Sequence, residues 1–212
     1  MKPFLQKSSL TMGLPKGRLF ETVSDLFEKG GMGFSFENRK LMAKDATGTL
    51  NIFLVKNADL PTYVNYGIAG LGICGEDVIY ESGYRFYKLL SFPFGSTKMC
   101  LAAKKGYTLE DSRKQVKVAT KFPRFTRTYF HAQGIPVEII KLNGSVELGP
   151  ITGLAPYIVD LVETGSTLKA NNLEIIEELA DIQVYMIANP SYYKLHYQEI
   201  NRLTEWIKKE LG

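Results

Sequence analysis

The residues best suited to chemistry lie in one stretch, Tyr157–Leu168, with the sequence YIVDLVETGSTL. A short apolar run carries two acids, Asp160 and Glu163, and then gives way to a turn rich in hydroxyls and glycine. That turn consists of Thr164, Gly165, Ser166 and Thr167. Backbone N–H groups at a strand-to-helix turn can bind a phosphate, because glycine allows close approach and hydroxyls add donors. Carboxylates one turn earlier can accept hydrogen bonds from ribose hydroxyls, so the stretch predicts a site for a 5-phosphoribosyl group.

An ordinary capped turn would show the same residue types, so other parts of the chain must favour one interpretation. Near the N-terminus, Lys16, Gly17 and Arg18 lie between a predicted strand and a predicted helix, where ligands of α/β sheets bind. Two cations there oppose the helix dipole, whereas both side chains suit phosphate oxygens. We therefore expect a second anion site, against the alternative of a solvated first helical turn.

Five segments follow one another along the chain, namely LPKGRL (14–19), GICGEDV (72–78), ATKFP (119–123), KLNGSVEL (141–148) and DLVETGSTL (160–168). Together they closely resemble the ATP phosphoribosyltransferase family, whose enzymes open histidine biosynthesis. The resemblance runs from about Leu10 to Pro190 and covers most of the chain. Each segment alone is only suggestive, whereas their joint order is highly specific.

The resemblance implies a pentosyltransferase, a kind of glycosyltransferase. It would condense ATP with 5-phosphoribosyl 1-pyrophosphate (PRPP) to N1-(5-phosphoribosyl)-ATP and pyrophosphate, with Mg²⁺ as the cofactor. The implied fold has two α/β lobes with mainly parallel sheets, is periplasmic-binding-protein-like (type II), and has a chain that crosses twice between lobes. Lobe I would comprise residues 1–95 and 183–212, and lobe II, residues 96–182, would carry the phosphoribosyl loop.

The resemblance also implies roles for single residues. Those implied to approach the pyrophosphate and act in catalysis are Arg18, Arg39 and Lys56. Those implied to bind ATP are Lys16, Gly17, Arg18 and Glu147. Those implied to bind PRPP are Asp160, Glu163, Thr164, Gly165, Ser166 and Thr167. The family has arginine where this chain has Lys56, which keeps the charge but lacks the bidentate guanidinium.

No metal ligands are assigned from the sequence. Glu76 and Asp77 could hold magnesium through water or cap the following helix, and capping is the stronger interpretation for Asp77. Cys74 and Cys100 form no CxxC pair, so neither a disulfide framework nor a zinc site is expected.

Two further departures from the family pattern are Gly70 and Pro156, where the family usually has aspartate. The loss of two carboxylates would change substrate contacts or remove only local caps. Two alternatives to a working enzyme therefore stay open: a catalytically weak or inactive subunit, and a nucleotide- or small-anion-binding module on the same fold. The intact phosphate loop favours the enzyme.

Composition narrows the class of protein. The net charge of +4 fits anionic substrates, yet no dense cluster of Lys and Arg points to nucleic acid. No apolar run is long enough for a signal peptide or a membrane span, so we expect a cytoplasmic protein with no membrane partner.

Alternating strand and helix patterns predict βαβ units with parallel sheets. The strand candidates are Leu10–Pro15, Leu50–Val55, Ile68–Ile73, Met99–Ala103, Val116–Ala119, Val137–Ile140, Tyr157–Val162 and Val184–Ala188. The helix candidates include 19–29, a short one capped by Asp59, Asp77–Ser82, Thr126–Gln133 and the C-terminal segment. Residues 92–96 (FPFGS) are expected to form a boundary loop. Leu173–Ile182 is ambiguous, because its apolar spacing fits a helix whereas the resemblance implies extended chain.

The chain length resembles the short form of the family, which lacks a C-terminal histidine-binding domain. The family's short form works with a separate regulatory subunit related to histidyl-tRNA synthetase. We therefore expect a homodimer or larger oligomer, a hetero-oligomer with such a subunit, and no response of the isolated chain to histidine.

Overall fold

The computed structural model describes residues 9–109 and 115–212. Its strands are β1 Leu10–Pro15, β2 Met42–Lys44, β3 Leu50–Val55, β4 Leu71–Gly75, β5 Tyr87–Lys104, β6 Val116–Thr120, β7 Val137–Lys141, β8 Tyr157–Val162 and β9 Leu173–Ala188. Its helices are α1 Arg18–Lys29, α2 Leu60–Asn65, α3 Glu76–Ser82, α4 Pro123–Ala132, α5 Leu148–Thr152, α6 Ser166–Ala170, α7 Pro190–Leu195 and α8 Tyr197–Leu211. Within these ranges no helix combines the length and the apolar character needed to cross a membrane.

The chain divides into two compact units. Unit 1 is Met1–Gly95 with Val184–Gly212, and unit 2 is Ser96–Gln183. The chain enters unit 2 within β5 and returns to unit 1 within β9. It therefore crosses twice, as the sequence predicts for the fold.

Unit 1 is built on strands in the order β2-β3-β1-β4-β9. Strand β1 is parallel to β3 and β4, whereas the outer pairs β2–β3 and β4–β9 are antiparallel. Helices α1 and α8 cover the sheet with apolar faces that bury Val23, Phe27, Ile200 and Ile207. These helices are stable because each one presents a single apolar stripe to the core.

Unit 2 contains strands in the order β5-β8-β6-β7. Strand β6 is parallel to β7 and β8, and β5 is antiparallel to β8. One apolar cluster includes Phe130 of α4 with Val159, and another includes Leu168 of α6 with Ile158. Because Val159 and Ile158 are successive residues of β8, that strand is buried on both faces, which explains its continuous apolar run.

The strand and helix predictions are largely confirmed, and the prediction of a loop at residues 92–96 is wrong. These residues belong to β5, where Phe92 packs against Phe94 with ring centroids 5.1 Å apart. The Pro and Gly signal was misleading because strand pairing overrides local turn preference, and proline is tolerated where its missing N–H is not needed. The ambiguous Leu173–Ile182 is extended, as part of β9.

Two smaller predictions also need correction. Strand β4 begins at Leu71 and not at Ile68, because the N–H groups of Ile68 and Ala69 both donate to the Tyr63 carbonyl at the end of α2. Asp59 occupies the N-cap position of α2, but its side chain makes no capping hydrogen bond.

The structure gives a packing reason for Gly70. A Cβ added to Gly70 would lie 2.1 Å from the ring of Tyr192. The Tyr192 hydroxyl accepts the N–H of Thr11 at 3.0 Å, and the Thr11 hydroxyl accepts the Gly70 N–H at 2.8 Å. Gly70 directly precedes β4 and Pro156 directly precedes β8, so both departures lie at amino ends of strands. Ligands of α/β sheets bind at the carboxyl ends, so these two positions contribute to packing.

We predict that Gly70→Ala destabilises unit 1 by about 1–3 kcal/mol, because the new methyl group overpacks the Tyr192 ring. In a Tyr192→Leu background the same change should cost much less, and urea denaturation of the four variants measures this coupling. Equal costs in the two backgrounds would show that the ring does not enforce glycine.

Candidate functional site

The strand–turn–helix predicted at Tyr157–Leu168 is confirmed. Strand β8 ends at Val162, Gly165 adopts a left-handed φ of 71°, and α6 begins at Ser166. The Thr164 hydroxyl lies 3.0 Å from that of Ser166, which holds the turn closed. Gly165 occupies the N-cap position of α6, and the Thr164 hydroxyl accepts the N–H of Ser166, the first residue of the helix, at 3.4 Å.

A cavity of about 410 Å³ opens beside this turn within unit 2. Its lining includes Glu163, Thr164 and Gly165, together with the cations Lys98 and Lys169. Lys98 pairs with Glu178 at 2.5 Å, whereas Lys169 lies in the last turn of α6. The volume and the mixture of hydroxyl and charged groups are appropriate for a small polar ligand.

The surroundings of Asp160 disfavour its charged form. It lies in β8 opposite Cys100, its side chain is only 15% exposed, and Oδ1 is buried without a hydrogen-bond partner. Burial raises the pKa of the Asp160 carboxyl, and the nearby Glu147 carboxylate adds to that rise. Lys121, whose Nζ is 3.6 Å from Oδ1, opposes the rise.

Lys121 is not among the site residues predicted from the sequence, although it lies within the ATKFP segment and next to Asp160. It directly follows β6, and Thr120 of that strand pairs in parallel with Val159 of β8. The pairing therefore brings Lys121 next to Asp160. Predicting this contact from the sequence would require the parallel register of β6 and β8, which the local spacing of residue types does not reveal.

Glu147 and Glu163 complete the acidic residues predicted in unit 2. Glu147 is half-buried at the N-cap position of α5 and lies close enough to Asp160 to raise its pKa. Glu163 is exposed at the start of the phosphate turn. The structure thus groups Glu147 with Asp160, and Glu163 with the turn.

The cations predicted in unit 1 lie where the chain emerges from the carboxyl edge of its sheet. Gly17 has a φ of 110°, which favours glycine, and its carbonyl accepts the Phe20 N–H at the start of α1. The N–H of Lys16 donates to the Val55 carbonyl at 3.0 Å, which places Lys16 beside the end of β3, where Lys56 follows. Both lysines and Arg18 are exposed there.

Arg39 lies near the same edge. It belongs to a turn closed by the N–H of Lys40 and the carbonyl of Glu37, directly before β2. The N–H of Leu54 donates to the Leu41 carbonyl, so the chain ahead of β2 runs alongside the end of β3. Arg39 has a left-handed φ of 62°, an uncommon conformation for a residue with a side chain.

The residues considered for metal binding do not form a dedicated site. Glu76 pairs with Lys88, and Asp77 is buried in the first turn of α3. Within residues 9–109 and 115–212, no group of three or more His, Cys, Asp or Glu side chains could hold a metal ion. Cys74 and Cys100 are buried free thiols, and burial is the main cause that raises the pKa of each.

Two α/β units, one with a cationic sheet edge and one with a turn rich in glycine and hydroxyls, define a protein with a type II periplasmic-binding-protein-like fold. The alkanesulfonate-binding protein SsuA from Xanthomonas axonopodis pv. citri shares that fold, with a TM-score of 0.61 at 10% identity over 95% of this chain and 72% of its own. A family model described as ATP phosphoribosyltransferase matches residues 56–209. The chain belongs to the ATP phosphoribosyltransferase family.

Individual relatives support the same assignment. The ATP phosphoribosyltransferase of Caldicellulosiruptor saccharolyticus is 47% identical over 191 residues, which cover 88% of this chain and 91% of the relative. The solved ATP phosphoribosyl transferase (HisG:HisZ) complex from Thermotoga maritima is 36% identical with a TM-score of 0.85, over 95% of this chain and 98% of that one. The similarity therefore extends through both units.

We predict that Arg39→Gly raises the free energy of unfolding by up to about 1 kcal/mol, because glycine adopts φ near 60° without the steric cost that arginine bears. Lys40→Gly, at the next exposed position, is the matched control and should lower stability by about 0.5–1 kcal/mol. Chemical denaturation measures both. A loss as large for Arg39→Gly as for Lys40→Gly would contradict the strain argument, whereas a gain would show that the backbone at Arg39 is strained.

Proposed function

We propose that the chain catalyses the reaction of its family through the residues described above. Adenine N1 of ATP displaces pyrophosphate from the anomeric carbon of PRPP, which gives N1-(5-phosphoribosyl)-ATP and pyrophosphate. The reaction is the first step of histidine biosynthesis and would take place in the cytoplasm. The observation that carries the proposal is the phosphate turn at the end of β8, with a buried carboxylate in the same strand.

Unit 2 would bind PRPP. Backbone N–H groups and hydroxyls of Thr164–Thr167 would hold the 5-phosphate, since the Gly165 conformation lets the backbone approach it closely. Asp160 and Glu163 would accept hydrogen bonds from the ribose hydroxyls. Glu147, which lies near Asp160, would contact ATP.

Unit 1 would neutralise the polyanions. Lys16, Arg18, Arg39 and Lys56 are exposed cations at or near the carboxyl edge of its sheet. We assign them to the phosphates of ATP and to the charge that develops on departing pyrophosphate. Catalysis then consists of alignment and charge stabilisation, because the displacement needs no covalent intermediate.

Magnesium would bind together with the substrate, mainly through substrate phosphates. The described residues offer no cage of side chains, and Mg²⁺ usually keeps substrate phosphates, waters and only one or two carboxylates as ligands. When bound to pyrophosphate oxygens it supplies charge neutralisation at the leaving group.

We also propose a partner. The solved Thermotoga maritima relative is a HisG:HisZ complex. This chain would likewise form a homo-oligomer that joins a separate histidyl-tRNA-synthetase-like subunit.

A second candidate function, an inactive or binding-only chain, is favoured by one observation, the lysine at position 56 in place of the family's arginine.

Pyrophosphate release tests these alternatives. The purified chain is incubated with ATP, PRPP and Mg²⁺, alone and with the regulatory subunit, and released pyrophosphate is measured. We expect pyrophosphate release in at least one of the two conditions, the chain alone or the chain with its partner. Binding of PRPP without turnover in either condition would establish the binding-only alternative.

We predict that Thr167→Ala weakens PRPP binding about ten- to hundredfold, because each hydrogen bond to a charged group contributes about 1.5–3 kcal/mol. The free energy of unfolding should stay within about 0.5 kcal/mol of wild type, since Thr167 caps nothing in the free protein. Isothermal titration with Mg²⁺ and PRPP, without ATP, measures the affinity. Thr128→Ala, at an exposed threonine of α4, is the control and should change neither value. Unchanged affinity of Thr167→Ala for PRPP would show that the turn has only a structural role.

A further inference from the structure

Asp160 is in an unfavourable place for a carboxylate. It lies in β8 between Val159 and Leu161, which pack in an apolar cluster, and its Oδ1 atom is buried without a hydrogen bond. A buried acceptor without a partner is costly, and a buried charge is more so. The fold therefore needs a counter-charge at this position or must accept a neutral carboxyl.

Lys121 is held next to that carboxylate by its backbone. The Thr120 hydroxyl donates to the Val159 carbonyl at 2.6 Å and accepts the Phe122 N–H at 2.8 Å. Both Thr120 and Phe122 are buried. The residues on either side of Lys121 are thus fixed to β8 and to the core, so its side chain starts from a defined place.

The groups around Asp160 differ in sign. Lys121 and the N–H of Leu161 favour the charged carboxylate, and Glu147 disfavours it. Cys100, opposite on β5, stays a neutral thiol because burial raises its pKa. Lys121 is consequently the cation among these groups, and its side chain keeps 40% exposure, so a substrate can reach it.

We infer that Lys121 is a positioning residue that holds the Asp160 carboxylate charged and oriented to accept a hydrogen bond from a ribose hydroxyl of PRPP. The inference rests on the proposed function, in which Asp160 binds that ribose. In a carboxylate either oxygen can accept such a hydrogen bond, whereas in the protonated form one oxygen becomes a donor. Lys121 thereby acts on substrate affinity through Asp160.

The direction of the pH effect follows from the charges. The positive charge of Lys121 lowers the pKa of the Asp160 carboxyl, so removing Lys121 raises that pKa further. Affinity for PRPP is then lost as the pH falls through the raised pKa. Each unit of that rise allows up to about a tenfold loss of affinity on the acid side.

The experiment compares Lys121→Met and Lys121→Arg with a matched control, Lys117→Met. Lys117 lies in β6, the strand that Lys121 directly follows, pairs with Glu138 at 3.3 Å and is similarly exposed. Titrations with Mg²⁺ and PRPP from about pH 8 down to about pH 5.5 give the affinity of each variant, and steady-state assays give KM and kcat. We expect Lys121→Met to bind PRPP about three- to tenfold more weakly near pH 6 than near pH 8, relative to wild type, with KM changing more than kcat. Lys121→Arg should restore most of the affinity, and Lys117→Met should follow the wild-type profile.

Each outcome decides one point. Parallel pH profiles for Lys121→Met and wild type would overturn the inference, even if the variant is less stable, because a purely structural ion pair changes stability alone. If Lys121→Met does not fold, Lys121→Gln takes its place and must show the same loss of affinity on the acid side. Failure of the proposed function would instead appear in the wild-type protein, as an absence of PRPP binding at every pH.

Discussion

Parallel strand pairing is the constraint on which the rest of this molecule depends. Strands that run side by side in one direction release their loops at one edge, so residues distant in sequence become neighbours. In unit 1 the pairing of β1 with β3 brings Lys16 to Lys56. In unit 2 the pairing of β6 with β8 brings Lys121 to Asp160. The chemistry of both units is therefore set by register, and the helices serve mainly to cover the sheets.

The buried carboxylate shows the tension between stability and function. An apolar side chain at position 160 would suit a strand that packs on both faces, and replacing a buried ion pair by well-packed apolar groups is often stabilising. The chain instead keeps a partly desolvated acid with one lysine beside it. Arg39 makes a similar case in unit 1, since its left-handed backbone is unfavourable for arginine. Local rules fail at both places, as is common where a protein binds its ligand.

Much of the fold and part of the site could be predicted from the sequence. The strand, turn and helix at Tyr157–Leu168 follow from an apolar run, a glycine and hydroxyls, which are local signals. Residues 92–96 could not be predicted in this way, because the pairing of β5 with neighbouring strands outweighs the local turn preference of Pro and Gly. The role of Lys121 depends on the register of β6 and β8, and the φ of Arg39 on the turn before β2. Both are long-range or backbone properties that side-chain types do not specify.

The contact between Gly70 and Tyr192 also restricts how this sequence can change over evolutionary time. While the Tyr192 ring lies over Gly70, a side chain at position 70 collides with it. The two sites are therefore epistatic: a side chain at position 70 costs less after a first step that removes the Tyr192 ring. Because loss of the tyrosine also breaks its bond to Thr11, the first step is disfavoured by itself. The glycine is thus entrenched, and a substitution tolerated in a relative would be harmful in this chain.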